Sequence, residues 1–277
     1  MRPAIQVHVT ASWAKAALCI AVLLTASAVP CSARILKTRR SGQPAGPLQL
    51  TVGSGFEYET DSEESEYGFP FLGEYGFTPA IKLGIEPSFV LVRRKQGPSL
   101  SGLGDLETTI TWEFPTERRH RPGLALEGTV KWPTARRGSL GTGERDVAIG
   151  AIVSKEFVAY DLDLNAVYTH IGDPPGVRLQ NVLELSLAAE YHLNPALDLL
   201  GEVVTASGAG GRRGSPGSIG SFGNIGGPEQ GQRETEFTLG FARRFNEFLK
   251  VELGGVIKSG PSLQTVLAWE WDFGGGQ

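Results

Sequence analysis

The sequence predicts an all-β fold: a transmembrane antiparallel up-and-down β-barrel of about twelve strands. Three observations carry that expectation. Apolar and polar residues alternate with period two in about twelve runs, most runs reach roughly 11–13 residues, and short connectors alternate with long ones. Soluble strands average about 5–6 residues, whereas tilted strands that cross a bilayer need about 9–11. The 277 residues are 40% hydrophobic and include 37 glycines, a composition suited to turns and strands. A net charge of -4 without a long Lys/Arg block offers nucleic acid no electrostatic footprint, so no nucleic-acid partner is expected.

The chain opens on an export signal. Residues 1–33 hold Arg2 and Lys15 but no acid, Ala16 to Val29 is almost wholly apolar, and Ala26-Ser27-Ala28 and Cys31-Ser32-Ala33 are small. A basic start, a short apolar middle and a small-residue exit describe a signal peptide cut after Ala28 or Ala33. The apolar run falls short of the ~20 residues of a spanning helix. Pro30 fits a lipoprotein reading of Cys31 poorly. A cut after Ala33 removes both cysteines, two of the 26 basic residues and none of the 30 acidic ones, which takes the net charge to -6. Disulfide and thiolate chemistry leave with them. Residues 34–47 then read as a short N-terminal periplasmic segment, 48–273 as the barrel and 274–277 as a C-terminal tail.

The strands are expected at about 48–59, 68–75, 80–92, 104–115, 122–133, 144–157, 159–171, 178–192, 196–207, 233–245, 248–259 and 262–273. The clearest runs place Val147, Ile149, Ala151 and Val153 opposite Asp146, Ala148, Gly150 and Ser154. In the next, Tyr160, Leu162, Leu164 and Tyr168 stand opposite Asp161, Asp163 and Asn165. Leu183, Leu185, Leu187 and Tyr191 then face away from Glu184, Ser186, Glu190 and His192. Side chains alternate faces along a strand, whereas a helix would scatter these leucines round its cylinder. Tight breaks fall at Gly76-Phe77-Thr78-Pro79, Val158, Asn194-Pro195 and Asn246-Glu247. Longer loops are expected at 60–67, 93–103, 134–143, 172–177 and 208–232. Connectors 116–121 and 260–261 fit this rhythm imperfectly. Aromatics such as Trp112, Phe114, Trp132, Phe245, Phe248 and Trp271 sit near strand ends, where interfacial girdles belong. The last run, Leu267 to Phe273, resembles the C-terminal aromatic signal for barrel assembly, with Gly274 to Gln277 added after it. Period two cannot itself say which face looks out; a soluble barrel would bury the apolar one.

Gly102-Leu103-Gly104-Asp105, Lys131-Trp132-Pro133-Thr134, Leu140-Gly141-Thr142-Gly143 before Asp146, and Gly172-Asp173-Pro174 occur in this order. With them the chain resembles the outer-membrane family labelled "MetA-pathway of phenol degradation", most clearly over residues 100–206. The resemblance implies a barrel and passage of small organic molecules. The Gly-rich stretch departs from the family's pattern.

The polar face is the expected lumen. Its expected lining includes Glu127, Asp146, Asp161, Asp163, Glu184, Glu190 and Glu202, with Lys131, Arg244 and Lys250 among the fewer counter-charges. Eight strands are filled by side chains and 16–18 leave a channel, so twelve lies between. Two readings stay open: a narrow cation-favouring channel, or a plugged structural or adhesion barrel. Acidic Glu57 to Glu66 lacks the spacing of an EF-hand and reads as a solvated external loop. Residues 208–231 carry glycine at three-residue spacing with too little proline for collagen, and read as a flexible external loop. Glu117-Arg118-Arg119-His120-Arg121 reads as a basic solvated turn. A lipid-modifying enzyme would need a serine beside His170, and no Gly-x-Ser-x-Gly occurs, so no enzyme, catalytic residue, cofactor or metal site is expected. The expected partners are outer-membrane lipid and lipopolysaccharide, small-molecule solutes and the barrel-assembly machinery. The expected location is the outer membrane of a Gram-negative bacterium.

Overall fold

The computed structural model describes residues 35–41, 49–60, 64–114, 121–135, 140, 143–174, 179–207, 234–246, 248–258 and 263–273. The expected signal peptide, the basic turn up to His120, the Gly-rich loop 208–231 and the C-terminal tail fall outside them.

Among the described residues, fourteen strand segments build twelve wall strands. They are β1 (Leu50–Thr60), β2 (Glu64–Thr78), β3 (Ile81–Glu86, resumed as Ser88–Arg94) and β4 (Leu100–Leu103, resumed as Leu106–Phe114). Then come β5 (Gly123–Trp132), β6 (Asp146–Glu156), β7 (Tyr160–His170) and β8 (Val182–Asn194). The last four are β9 (Leu197–Ala206), β10 (Glu234–Arg244), β11 (Leu249–Lys258) and β12 (Leu263–Phe273). Each pairs antiparallel with the next, and β12 pairs back with β1 from Leu50↔Phe273 to Thr60↔Leu263. That closure removes every free sheet edge, the condition for backbone in lipid.

The two interruptions have local causes. Pro87 lacks an N–H and so loses one of the two ladder bonds opposite Phe71 of β2, while its carbonyl still accepts from the Phe71 N–H at 2.8 Å. In β4, Leu103 stands opposite Phe89 but Glu107 opposite Glu86, so Gly104-Asp105 holds one extra residue. This is a β-bulge. It turns both Gly104 and Asp105 inward, which explains half of the Gly-Leu-Gly-Asp motif.

The faces are the reverse of a soluble protein's. Ile149 and Leu239 are 62% and 65% exposed, whereas Glu127 and Glu252 are 4% and 3% exposed. Leucines, phenylalanines and tryptophans therefore cover the outside and carboxylates the inside, as a bilayer demands. Trp112, Phe245, Phe248, Trp271 and Phe273 stand exposed toward the rim with short turns.

Two expected loops are shorter than the sequence suggested. Acidic 60–67 is mostly the β1–β2 hairpin, with Glu59 opposite Glu66 and Tyr58 opposite Tyr67. Cross-strand rings at 5.1 Å and the Lys258–Glu59 pair at 2.8 Å extend it against its polarity. The expected loop 93–103 shrinks because Val92 pairs with Leu100. The expected periplasmic segment differs most: residues 35–41 lie against the inner wall.

Candidate functional site

The inner wall follows from strand parity. β5 turns Glu127, Thr129 and Lys131 inward, β7 Asp161, Asp163 and Asn165, and β8 Glu184, Ser186 and Glu190. A carboxylate in such surroundings needs a donor or a counter-charge. Most of those partners come from the strap, residues 35–41.

The strap begins at an apolar anchor. Ile35 is 4% exposed and packs on Leu200, Ala242, Val256, Val266 and Ala268, which interrupt the polar face of β9 to β12. Gly240 and Gly254 form its floor: a Cβ at either would come within 3.2 Å of Ile35 Cδ1. The Ile35 N–H donates to Glu252 Oε2 at 2.7 Å.

Charge takes over from there. Lys37 Nζ pairs with Glu236 at 2.5 Å and also feels the charge of half-buried Glu184. Glu202 Oε1 accepts both the N–H and the hydroxyl of Thr38, at 2.6 and 2.7 Å, while its other oxygen accepts from Thr238. Arg39 Nη2 reaches Glu86 at 2.7 Å, and its Nε lies 3.6 Å from Glu127. Arg40 gathers Asp161 at 2.7 Å, Asp163 at 3.2 Å and Glu190 at 3.6 Å. With its amide turned so that the nitrogen faces the Arg39 carbonyl, Asn165 donates to that carbonyl and accepts from the Arg39 N–H, pairing with the strap as a neighbouring strand would. The Ser41 N–H ends the run on Ser154 Oγ at 2.8 Å. The strap thus crosses the bore from the β9–β12 side to β3, β5 and β6–β8, with the N–H groups of Ile35, Thr38 and Ser41 bonded to wall side chains on the way.

The remaining expected lining residues form smaller groups. Lys131 sits between Asp146 and, at 3.7 Å, Asp105 of the bulge. Lys250 bridges Glu252 at 2.9 Å and Glu190 at 3.6 Å. Arg244 is half exposed and lies 3.6 Å from Asp198. Nearer the long-loop rim, Leu140 folds inward onto Val90 and Val92. A Cβ on Gly102 would lie 2.8 Å from Leu140 Cδ1, so the two glycine motifs meet at this contact.

Glu190, His192 and Asp198 bring ligand atoms within 4.8 Å of one another, the spacing of a metal site. They are otherwise engaged. His192 bonds Asp198 at 2.9 Å and approaches Asp161 at 3.3 Å, and Arg40, Arg244 and Lys250 all reach Glu190. Three cations beside one carboxylate oppose a further cation, so this is an ion-pair network. His170 bonds Asn181 at 2.9 Å on the outer face, and no serine is bonded to it among the described residues.

The sequence reading missed Ile35, Lys37, Thr38, Arg39 and Arg40. Two signals pointed to them. The expected lumen held more acids than bases, and Leu200, Ala242, Val256, Val266 and Ala268 broke its polar parity.

The fold has solved counterparts. The COG4313 outer membrane channel from Pseudomonas putida F1 is 16% identical with a TM-score of 0.63, covering 85% of this chain and 99% of that one. The NanC porin is 8% identical with a TM-score of 0.50, covering 80% of this chain and 98% of that one. At these identities the likeness is one of fold. No protein-family model and no curated protein matches the chain, so the motif resemblance to the phenol-degradation family stands without a matching model.

Proposed function

We propose that this chain is an outer-membrane channel for passive passage of small solutes, organic molecules among them, and that the strap holds it closed. One observation carries the reading: a separate segment lies across the bore, held to the wall by ion pairs and one anchor residue. Contacts of that kind are reversible, as a gate requires. The apolar exterior, the closed wall and the channels of like fold support a place in the outer membrane, in contact with lipopolysaccharide and delivered by an export signal and the assembly machinery. The phenol-degradation resemblance adds organic solutes to the expected cargo. A second reading, a plugged structural barrel, draws on the number of ion pairs along the strap.

Planar-bilayer recording separates the two. A channel shows rare, brief openings that become frequent when Lys37, Arg39 and Arg40 are all changed to Gln. A folded variant that stays silent would support the structural barrel. Cation preference in a salt gradient is expected from the exposed acids; anion preference would remove charge selection from the proposal.

A further inference from the structure

We propose that the inner acid wall is a binding site for a small linear organic polycation, and that the Lys37–Arg40 strap occupies this site as a built-in surrogate. The binding claim stands apart from conduction; only its transport consequence rests on the channel reading.

The strap shows what the wall recognises. Its cations are an ammonium and two guanidiniums on one short stretch of backbone, separated by no more than about 11 Å along the chain from Lys37 to Arg40. Each meets its own acid group: Glu236, then Glu86 with Glu127, then Asp161 with Asp163 and Glu190. Discrete acid groups at such intervals suit amines strung on a flexible chain. A metal ion would need its oxygens converged on a single point, and the one convergent trio among the described residues, Glu190, His192 and Asp198, already has three cations around it.

The wall also has capacity that the strap leaves unused. Glu107 is 4% exposed, stands opposite Glu86 in register, and has an oxygen with no hydrogen-bond donor. Two carboxylates facing each other across adjacent strands repel, and a donor placed between them relieves both. An ammonium group of a polyamine supplies two or three N–H donors at that point, where Arg39 supplies one to Glu86.

Spermidine is the probe, titrated calorimetrically into the folded full-length barrel in detergent at low salt. The unsubstituted protein is expected to bind weakly, because a tethered competitor acts at an effective concentration on the order of millimolar. The variant Lys37→Gln, Arg39→Gln, Arg40→Gln is expected to bind at least about tenfold more tightly. Adding Glu107→Gln to it should reverse most of that gain without lowering its thermal stability, since the amide keeps the shape of the carboxyl and relieves the repulsion from Glu86 opposite it. A folded triple variant that ignores spermidine, or binds magnesium equally well at matched ionic strength, overturns the proposal. Conductance of the same variant is read separately: an open pore without spermidine binding sinks the site alone, and binding without conductance sinks the channel alone. Should the triple variant not fold, Ser41→Cys in the otherwise unsubstituted protein decides. Ser41 is fully buried in the docked strap, so spermidine should accelerate maleimide labelling there; an unchanged rate overturns the proposal.

Discussion

The two ends of the strap hold the same wall by different physics. At Ile35 the wall gives up its polar face, using two glycines and small apolar residues to make a dry pocket. At Arg39 and Arg40 the wall keeps its carboxylates and borrows its counter-charges from the strap. The first contact is non-directional and scales with buried apolar area. The second is directional, and losing either partner leaves a buried charge uncompensated. The anchor therefore sets where the strap begins, and the guanidiniums decide whether it stays.

The largest effect is expected from Arg40→Gln. Its loss leaves Asp161, Asp163 and Glu190 without the cation that gathers them, and removing one partner of a buried pair costs about 3 kcal/mol or more. The ratio of docked to undocked strap should fall at least about a hundredfold. Open probability in a planar bilayer, or maleimide labelling of Ser41→Cys, reads it directly. A change below threefold would mean that Lys250 and Arg244 neutralise these acids unaided.

Ile35→Ala comes next. Truncating a buried isoleucine costs about 2–4 kcal/mol in lost transfer energy and residual cavity. The comparison sharpens when salt is varied. Between about 0.1 and 1 M NaCl the screening length drops from roughly 10 to 3 Å, so the Arg40→Gln effect should shrink while the Ile35→Ala effect holds. Equal salt dependence would erase the distinction between the two ends.

The wall was legible because period two survives in any strand with one lipid face. All twelve expected runs correspond to wall strands, down to the turn at Asn194-Pro195. Its errors lie where tertiary pairing outweighs local polarity: Glu59 and Glu66 read as loop until Lys258 and the Tyr58–Tyr67 rings hold them in a hairpin. The strap was illegible for a related reason. Residues 35–41 have no periodicity, because their partners are scattered over β3 to β12, and pairing at separations such as 217 residues leaves no local trace. What the sequence did hold was a mismatch, too many inward acids and five misplaced apolar residues. Each was half of a contact whose other half lay before the first strand.

Thr38 tests the middle of the strap, between anchor and guanidiniums. Thr38→Val keeps the shape and the backbone donor to Glu202 but removes the hydroxyl donor at 2.7 Å. A hydrogen bond to a charged group contributes about 1.5–3 kcal/mol, and Glu202 retains Thr238 and the Thr38 N–H, so the lower end applies. About a tenfold rise in Ser41→Cys labelling is expected.

The smallest effect belongs to an ion pair outside the comparison. Arg94 and Glu64 approach to 3.5 Å across β2 and β3, but both side chains are about a third exposed. A pair in that setting contributes about 0–1 kcal/mol, because water screens it and two long side chains lose freedom. Arg94→Ala should therefore leave strap labelling unchanged and shift barrel unfolding by no more than that amount. Its value lies in the contrast with Arg40, which meets its acids at similar distances but inside the bore. If both substitutions loosened the strap alike, burial would not be what makes the inner pairs matter, and the strap would be responding to net charge alone.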